Sequence, residues 1–183
     1  ILYFVVSWLP SLLRQEGSPI SAGITAVVLF SGGGMIGSFM AGYMMNRWGT
    51  FTVLLAEFAA STLLIVSLAF SRSVLLTMII TLVLGFMVQS AQGGLGALAA
   101  IFYPTAIRST GVGWALGVGR IGSIVGPMLG GLMLMLRWGP REIFLAGAIP
   151  ALCAAAATLL SLWRQRNIPA ARAETEVSEE LPV

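Results

Sequence analysis

Charge is distributed along this chain of 183 residues in a way that few environments accept. Residues 17–46, 73–107, 121–136 and 143–163 carry no charged side chain, and Glu57 and Arg120 are isolated interruptions of otherwise apolar sequence. A helix needs about 20 apolar residues to cross roughly 30 Å of hydrocarbon at 1.5 Å per residue. The pattern therefore predicts five full transmembrane spans, at about 22–45, 51–70, 74–102, 110–136 and 142–163. The opening segment, residues 1–13, is apolar but reaches only about 20 Å. It begins with Ile1 and has no basic leader or small-residue cleavage site, so it reads as a truncated further helix rather than a signal peptide. The expectation is a fragment cut inside a membrane span.

Composition agrees. Hydrophobic residues make up 57% and charged residues 9%, where a soluble domain carries roughly a quarter charged. That excludes an ordinary cytosolic globule, a disordered chain and a basic nucleic-acid binder. All ten cations are Arg, all seven anions are Glu, and Lys, Asp and His do not occur. Zinc sites built on His, Ser-His-Asp triads and Lys-bearing phosphate loops are thereby removed, so no metal site is expected. Cys153 is the single cysteine and has no intrachain partner.

The connections fit the span count. Trp8-Leu-Pro-Ser11 and Gly17-Ser-Pro19 leave the first helix, Arg47-Trp48-Gly49 separates the second from the third, and Ser71-Arg72-Ser73 makes a short third link. Tyr103-Pro104-Thr105 stops the fourth helix, and residues 137–142 join the last two. Trp8, Trp48, Trp114, Trp138 and Trp163 fall near predicted span ends, as an interfacial aromatic belt requires. Residues 1–163 thus form the membrane bundle. Residues 164–183, with four Glu and three Arg, read as a polar, disordered tail. Arg47, Arg108, Arg164, Arg166 and Arg172 lie at one set of ends against Arg14, Arg72, Arg137 and Arg141 at the other, which places the tail on the cytoplasmic side by five to four.

Polar residues inside the spans are costly, so each one is informative. Arg120 lies near mid-depth of the fifth helix. At 100° per residue, Gly119, Gly122, Gly126 and Gly130 share one arc, a small-residue surface for helix packing, while Arg120 lies across from it with Gly113, Gly117 and Pro127. Two roles are open for Arg120: binding a substrate carboxylate through its bidentate fork, or a buried ion pair that holds the bundle together. Glu57 sits nearer an interface, where it either carries a proton or pairs with Arg47 or Arg108; the pair is the favoured reading. On the fourth helix Gln89 and Gln92 share a face with Gly85, Gly93 and Gly96, aimed at substrate, water or another helix. Tyr3 and Ser7, four residues apart on the first helix, are candidates to line the same cavity. Gly33, Gly37 and Ala41 recur at every fourth position of the second helix, as do Gly34, Ser38 and Gly42, and read as packing stripes.

Two stretches resemble a known family. Gly42-Tyr-Met-Met-Asn-Arg-Trp-Gly49 is similar to the Gly-x-x-x-Asp-Arg-x-Gly loop of the major facilitator superfamily, with Asn46 standing where that signature usually has Asp. Gln89-Ser-Ala-Gln-Gly-Gly-Leu-Gly-Ala-Leu-Ala-Ala100, with the run from Tyr103 to Pro127, resembles the tenth and eleventh helices of the aromatic acid:H+ symporters, and Trp8-Leu-Pro10 the end of their seventh. The resemblance implies an all-α, polytopic helical bundle that is the C-terminal half of a twelve-helix fold. Its cytoplasmic C-terminus would lie in a bacterial inner membrane, and a midplane cavity would be shared with the N-terminal six-helix half. It implies proton-driven uptake of a benzoate-like or hydroxylated aromatic anion with no cofactor. Gly42, Asn46, Arg47 and Gly49 would form the gating loop, Arg108 would lie in the loop between the tenth and eleventh helices, and Arg120 would face the cavity. No convincing midplane carboxylate is left in this half, which puts the main proton site in the other one. An exporter of organic compounds and a non-transport membrane scaffold or sensor are the competing readings; an enzyme is disfavoured by the absence of any nucleophile–base pair.

Overall fold

A computed structural model of the chain describes residues 2–15, 19–71, 73–102 and 107–179. They form six helices and no strand: α1 (Leu2–Gln15), α2 (Ile20–Trp48), α3 (Thr50–Phe70), α4 (Val74–Phe102), α5 (Arg108–Met135) and α6 (Pro140–Glu179). Five are long and apolar enough to cross a bilayer: Ile20–Trp48, Thr50–Phe70, Val74–Ala99, Arg108–Met135 and Pro140–Arg164. In hydrocarbon every backbone N–H and C=O must be paired within its own segment, which leaves helices as the available form. The predicted links at Gly17-Ser18, Arg72 and Tyr103-Pro104-Thr105 lie outside the described residues.

Three boundaries differ from expectation. α1 does not stop at Pro10 but continues to Gln15, and Pro10 seats against Gly23 of α2, where no Cβ stands in the way. α2 keeps Asn46, Arg47 and Trp48 in its last turn, so Gly49 alone separates it from α3. α6 starts at Pro140, a position where a missing N–H costs nothing, and Glu142 Oε2 accepts the Gly139 N–H at 3.0 Å. The tail from Arg164 onward begins as a continuation of α6 to Glu179, in keeping with its Ala-, Arg- and Glu-rich composition.

Gly49 has φ 84° and ψ 138°, a conformation that side chains with a Cβ rarely adopt, and its N–H closes α2 on the Met45 carbonyl at 2.9 Å. We expect Gly49→Val to cost about 1–3 kcal/mol through backbone strain. A thermal melt of the detergent-solubilised full-length protein checks this, and an unchanged midpoint would refute it.

The closest helix pair is α2 and α4. Gly33 lies on the Leu82 carbonyl, Gly37 on the backbone of Phe86, and Gly85 on the backbone of Phe30. Farther along, Gly94 lies under the Met45 side chain. These contacts ascend together along both helices, so α2 and α4 run parallel and nearly backbone to backbone, as small residues permit. α3 fits against both α4 and α6. Arg141, at the start of α6, stacks over the ring of Phe70, at the end of α3, with 4.2 Å to the centroid, so those two helices run antiparallel with ends aligned. Two apolar clusters fill the bundle. One is built around Leu9, Phe30, Ile65, Leu84 and Ile143, the other around Met45, Leu54, Phe58, Ala91 and Ala155.

α5 stands apart. Only 6% of its span is buried, against 33% to 44% for the other four. It is attached mainly near its C-terminal end, where Gly130 lies against the Trp8 indole and the Trp8 Nε1–H donates to the Pro127 carbonyl at 3.1 Å. Trp8 is therefore a structural donor inside the bundle rather than a member of an interfacial belt.

Candidate functional site

The shallow attachment of α5 leaves a cavity of about 890 Å³ between residues 115–133 of that helix and α1, α3, α4 and α6. That volume falls within the range of about 300–1,000 Å³ usual for small-molecule sites. Its walls are mostly apolar, and its polar lining residues are Tyr3 from α1, Gln92 from α4, and Arg120 and Ser123 from α5. Arg120 is the one charged side chain among the described residues that line it. It is the thirteenth residue of the 28-residue α5, about 18 Å from the helix start, and so stands near mid-depth.

Among the described residues the Arg120 guanidinium has no hydrogen-bond or ion-pair partner. The Ser123 hydroxyl, one turn on, donates to the Arg120 backbone carbonyl at 2.6 Å and is committed there. The cation is thus exposed to a cavity wide enough for an anion, with five N–H donors unused. The cavity floor comes from Phe4, whose ring rests on Gly147 of α6, and from Phe58 of α3. Apolar walls with one fixed cation suit an amphipathic anion better than an inorganic one.

The structure thus brings Arg120, Gln92 and Tyr3 to one cavity and leaves two candidates out. Gln89 packs its side chain against Gly34 of α2, because the three residues that separate it from Gln92 rotate it by about 60° towards that helix. Ser7 is exposed and does not line the cavity. The α5 glycine stripe divides: Gly126 and Gly130 meet Phe4 and Trp8, whereas Gly119 and Gly122 face the open cavity rather than a helix. Ser123 and the two phenylalanines were not singled out from the sequence. Ser123 was reachable by its i, i+3 spacing from Arg120, but Phe4 and Phe58 look like ordinary core residues until the helices are assembled.

Of the loop-motif residues, Asn46 and Arg47 are exposed in the last turn of α2, a Cβ added at Gly42 would meet open space, and Arg108 opens α5. Glu57 is not at the surface. It is 1% exposed, and neither of its carboxylate oxygens has a hydrogen-bond partner among the described residues. The pair with Arg47 or Arg108 favoured by the sequence is therefore not formed. Depth along a helix does not specify which side faces solvent, and α3 turns this side inward.

Sequence comparison decides the family. The family model described as Major Facilitator Superfamily matches residues 1–181. The chain belongs to the major facilitator superfamily. Three curated superfamily relatives carry transport names. A "Gallate transporter" of Pseudomonas putida is 39% identical over 160 residues, covering 87% of this chain and 36% of the relative. A "4-hydroxybenzoate transporter" of Pseudomonas aeruginosa is 36% identical over 166 residues, covering 87% and 36%. A "Benzoate transport protein" of Acinetobacter baylyi is 35% identical over 151 residues, covering 82% and 32%. The chain spans about a third of the length of these relatives. It is a multi-pass membrane segment of a superfamily whose similar members are named for aromatic acids.

Proposed function

We propose that this chain is the C-terminal six-helix half of a proton-coupled transporter that takes up an aromatic monocarboxylate by alternating access. The reading rests on one observation, an unpaired Arg120 exposed at mid-depth to a cavity whose walls are mostly apolar. A carboxylate accepts the guanidinium fork, and the aromatic ring lies on the apolar wall near Phe58 and Tyr3, with Gln92 available to a ring hydroxyl. The names of the similar proteins support an aromatic acid as the substrate class. The N-terminal six helices of the same protein would close the open side of the cavity. The membrane would be the bacterial inner membrane with the C-terminus cytoplasmic, so that Arg47, Gly49 and Arg108 form part of the inner gate.

Uptake of radiolabelled 4-hydroxybenzoate and benzoate into proteoliposomes holding the full-length protein tests this. An inwardly directed proton gradient is expected to drive accumulation that collapses when a protonophore is added. Background uptake that ignores the gradient would overturn the reading.

A further inference from the structure

Three polar side chains have no place in the cavity or in any helix cap. Glu57 and Ser61 lie one turn apart on α3, and Ser90 faces them from α4; their exposures are 1%, 1% and 0%. Both Glu57 oxygens and both serine hydroxyls have no hydrogen-bond partner among the described residues, although the Ser90 hydroxyl stands beside the carboxyl, short of bonding geometry. None of the three lines the cavity, whereas Phe58, the residue after Glu57, does.

Among the described residues the surroundings supply no counter-charge. α3 carries no other titratable side chain, and α4 carries none from Val74 to Phe102. α6 has Arg141, Glu142 and Arg164 towards the ends of its apolar stretch and an exposed Cys153, and it packs Ala154 and Ala155 into the cluster of Leu54 and Phe58. α2 contributes Tyr43 and Arg47, both exposed. Glu57 is buried to this degree by the residues of this chain alone. An ionised carboxylate in such a place would be uncompensated, and the neutral acid is the form this pocket accepts. A protonated carboxyl has one O–H to donate and one carbonyl to accept with, and Ser90 beside it and Ser61 one turn along α3 are hydroxyls that would complete these bonds by a change of rotamer.

We propose that Glu57, flanked by Ser61 and Ser90, is a proton-holding site in the contact between α3 and α4, outside the substrate cavity. The step is a simple transfer. One Oε–H bond forms when a proton arrives from water on one side of the membrane. It breaks when α3 and α4 part and the proton leaves to water on the other side, with no other bond changed. This deepens the transport reading and rests on it for the direction of coupling. Ionisation of Glu57 is compatible only with an opened contact, so the proton count and the helix arrangement change together.

Two measurements on the full-length protein in liposomes test the site. The first is the infrared carbonyl stretch of a protonated carboxylic acid at neutral pH. It is expected in the native protein, lost in Glu57→Gln, and shifted in Ser90→Ala. Absence of a band that Glu57→Gln removes would overturn the proposal. The second is the ratio of uptake with a pH gradient to uptake without one. Glu57→Gln preserves the size and neutrality of the group but cannot release a proton, so the ratio is expected to fall to one. A purely structural neutral carboxyl would leave it as in the native protein, which would also overturn the proposal. Should the native protein take up no aromatic acid at all, the transport reading fails, and the infrared band alone decides the site.

Discussion

Arg120→Ala is expected to weaken binding of an aromatic carboxylate by roughly 10- to 100-fold while leaving membrane insertion intact. Hydrogen bonds to a charged group contribute about 1.5–3 kcal/mol each set, and 1.4 kcal/mol is a factor of ten. Arg120 is exposed to the cavity and holds no other side chain in place among the described residues, so its loss removes an anion contact without opening the core. Arg120→Lys separates two accounts of the same loss. Lys keeps the charge but gives up the planar fork, so it should recover only part of the affinity if recognition is bidentate. The primary amide of the same aromatic acid provides the control. It has no anionic charge, and it should bind native and Arg120→Ala proteins equally weakly. Scintillation proximity binding on purified full-length protein measures all of these, and native affinity in Arg120→Ala would remove the residue from the site.

The second large effect is expected from a side chain placed between α2 and α4. A Cβ at Gly33 would strike the Leu82 carbonyl, and one at Gly85 the carbonyl of Phe30. Both obstacles are backbone, which cannot swing aside as a rotamer would. Gly33→Leu and Gly85→Val should each cost at or above the upper end of the about 1–3 kcal/mol typical of overpacking, because relief requires two helices to separate along their length. Gly32, adjacent in sequence, meets nothing within 4 Å, and Gly32→Ala should leave stability unchanged or slightly raised. Fluorescence-detected size exclusion after heating reads the difference. Equal melting for the substitutions at Gly32 and Gly33 would contradict the close parallel approach.

Much of the architecture could be read from the chain because the bilayer imposes a strict rule on backbone pairing, and charge-free length reports directly on it. α3 and α4 were placed to within a residue at each end, at 50–70 and 74–102. At its C-terminal end α2 runs three residues further than expected because Asn46, Arg47 and Trp48 are compatible with helix until Gly49 forces the turn. The cavity was only partly visible. Helical periodicity shows that Gln89 and Gln92 share a broad face, but not that the offset of about 60° between them turns one amide against α2 and the other into the cavity. The same limit applies to Gly119 and Gly122, which a wheel cannot distinguish from the packed Gly126 and Gly130. Glu57 was the largest miss. A carboxylate a third of the way into a span looks close to water, and only the positions of α4 and α6 reveal that it is sealed.

The attachment of α5 also has a mechanical consequence. Proline inside the helix at position 127 has no N–H to give to the Ser123 carbonyl, so the helix is easiest to bend just where Trp8 fastens it. Arg120 stands seven residues away, at the end of an arm of about 10 Å. A change of only about 10° at this pivot sweeps the Arg120 backbone through nearly 2 Å, about the difference between a made and a broken hydrogen bond. The position of the cation is therefore geared to the angle of one joint, and a small motion near the Trp8 anchor becomes a large one at the anion.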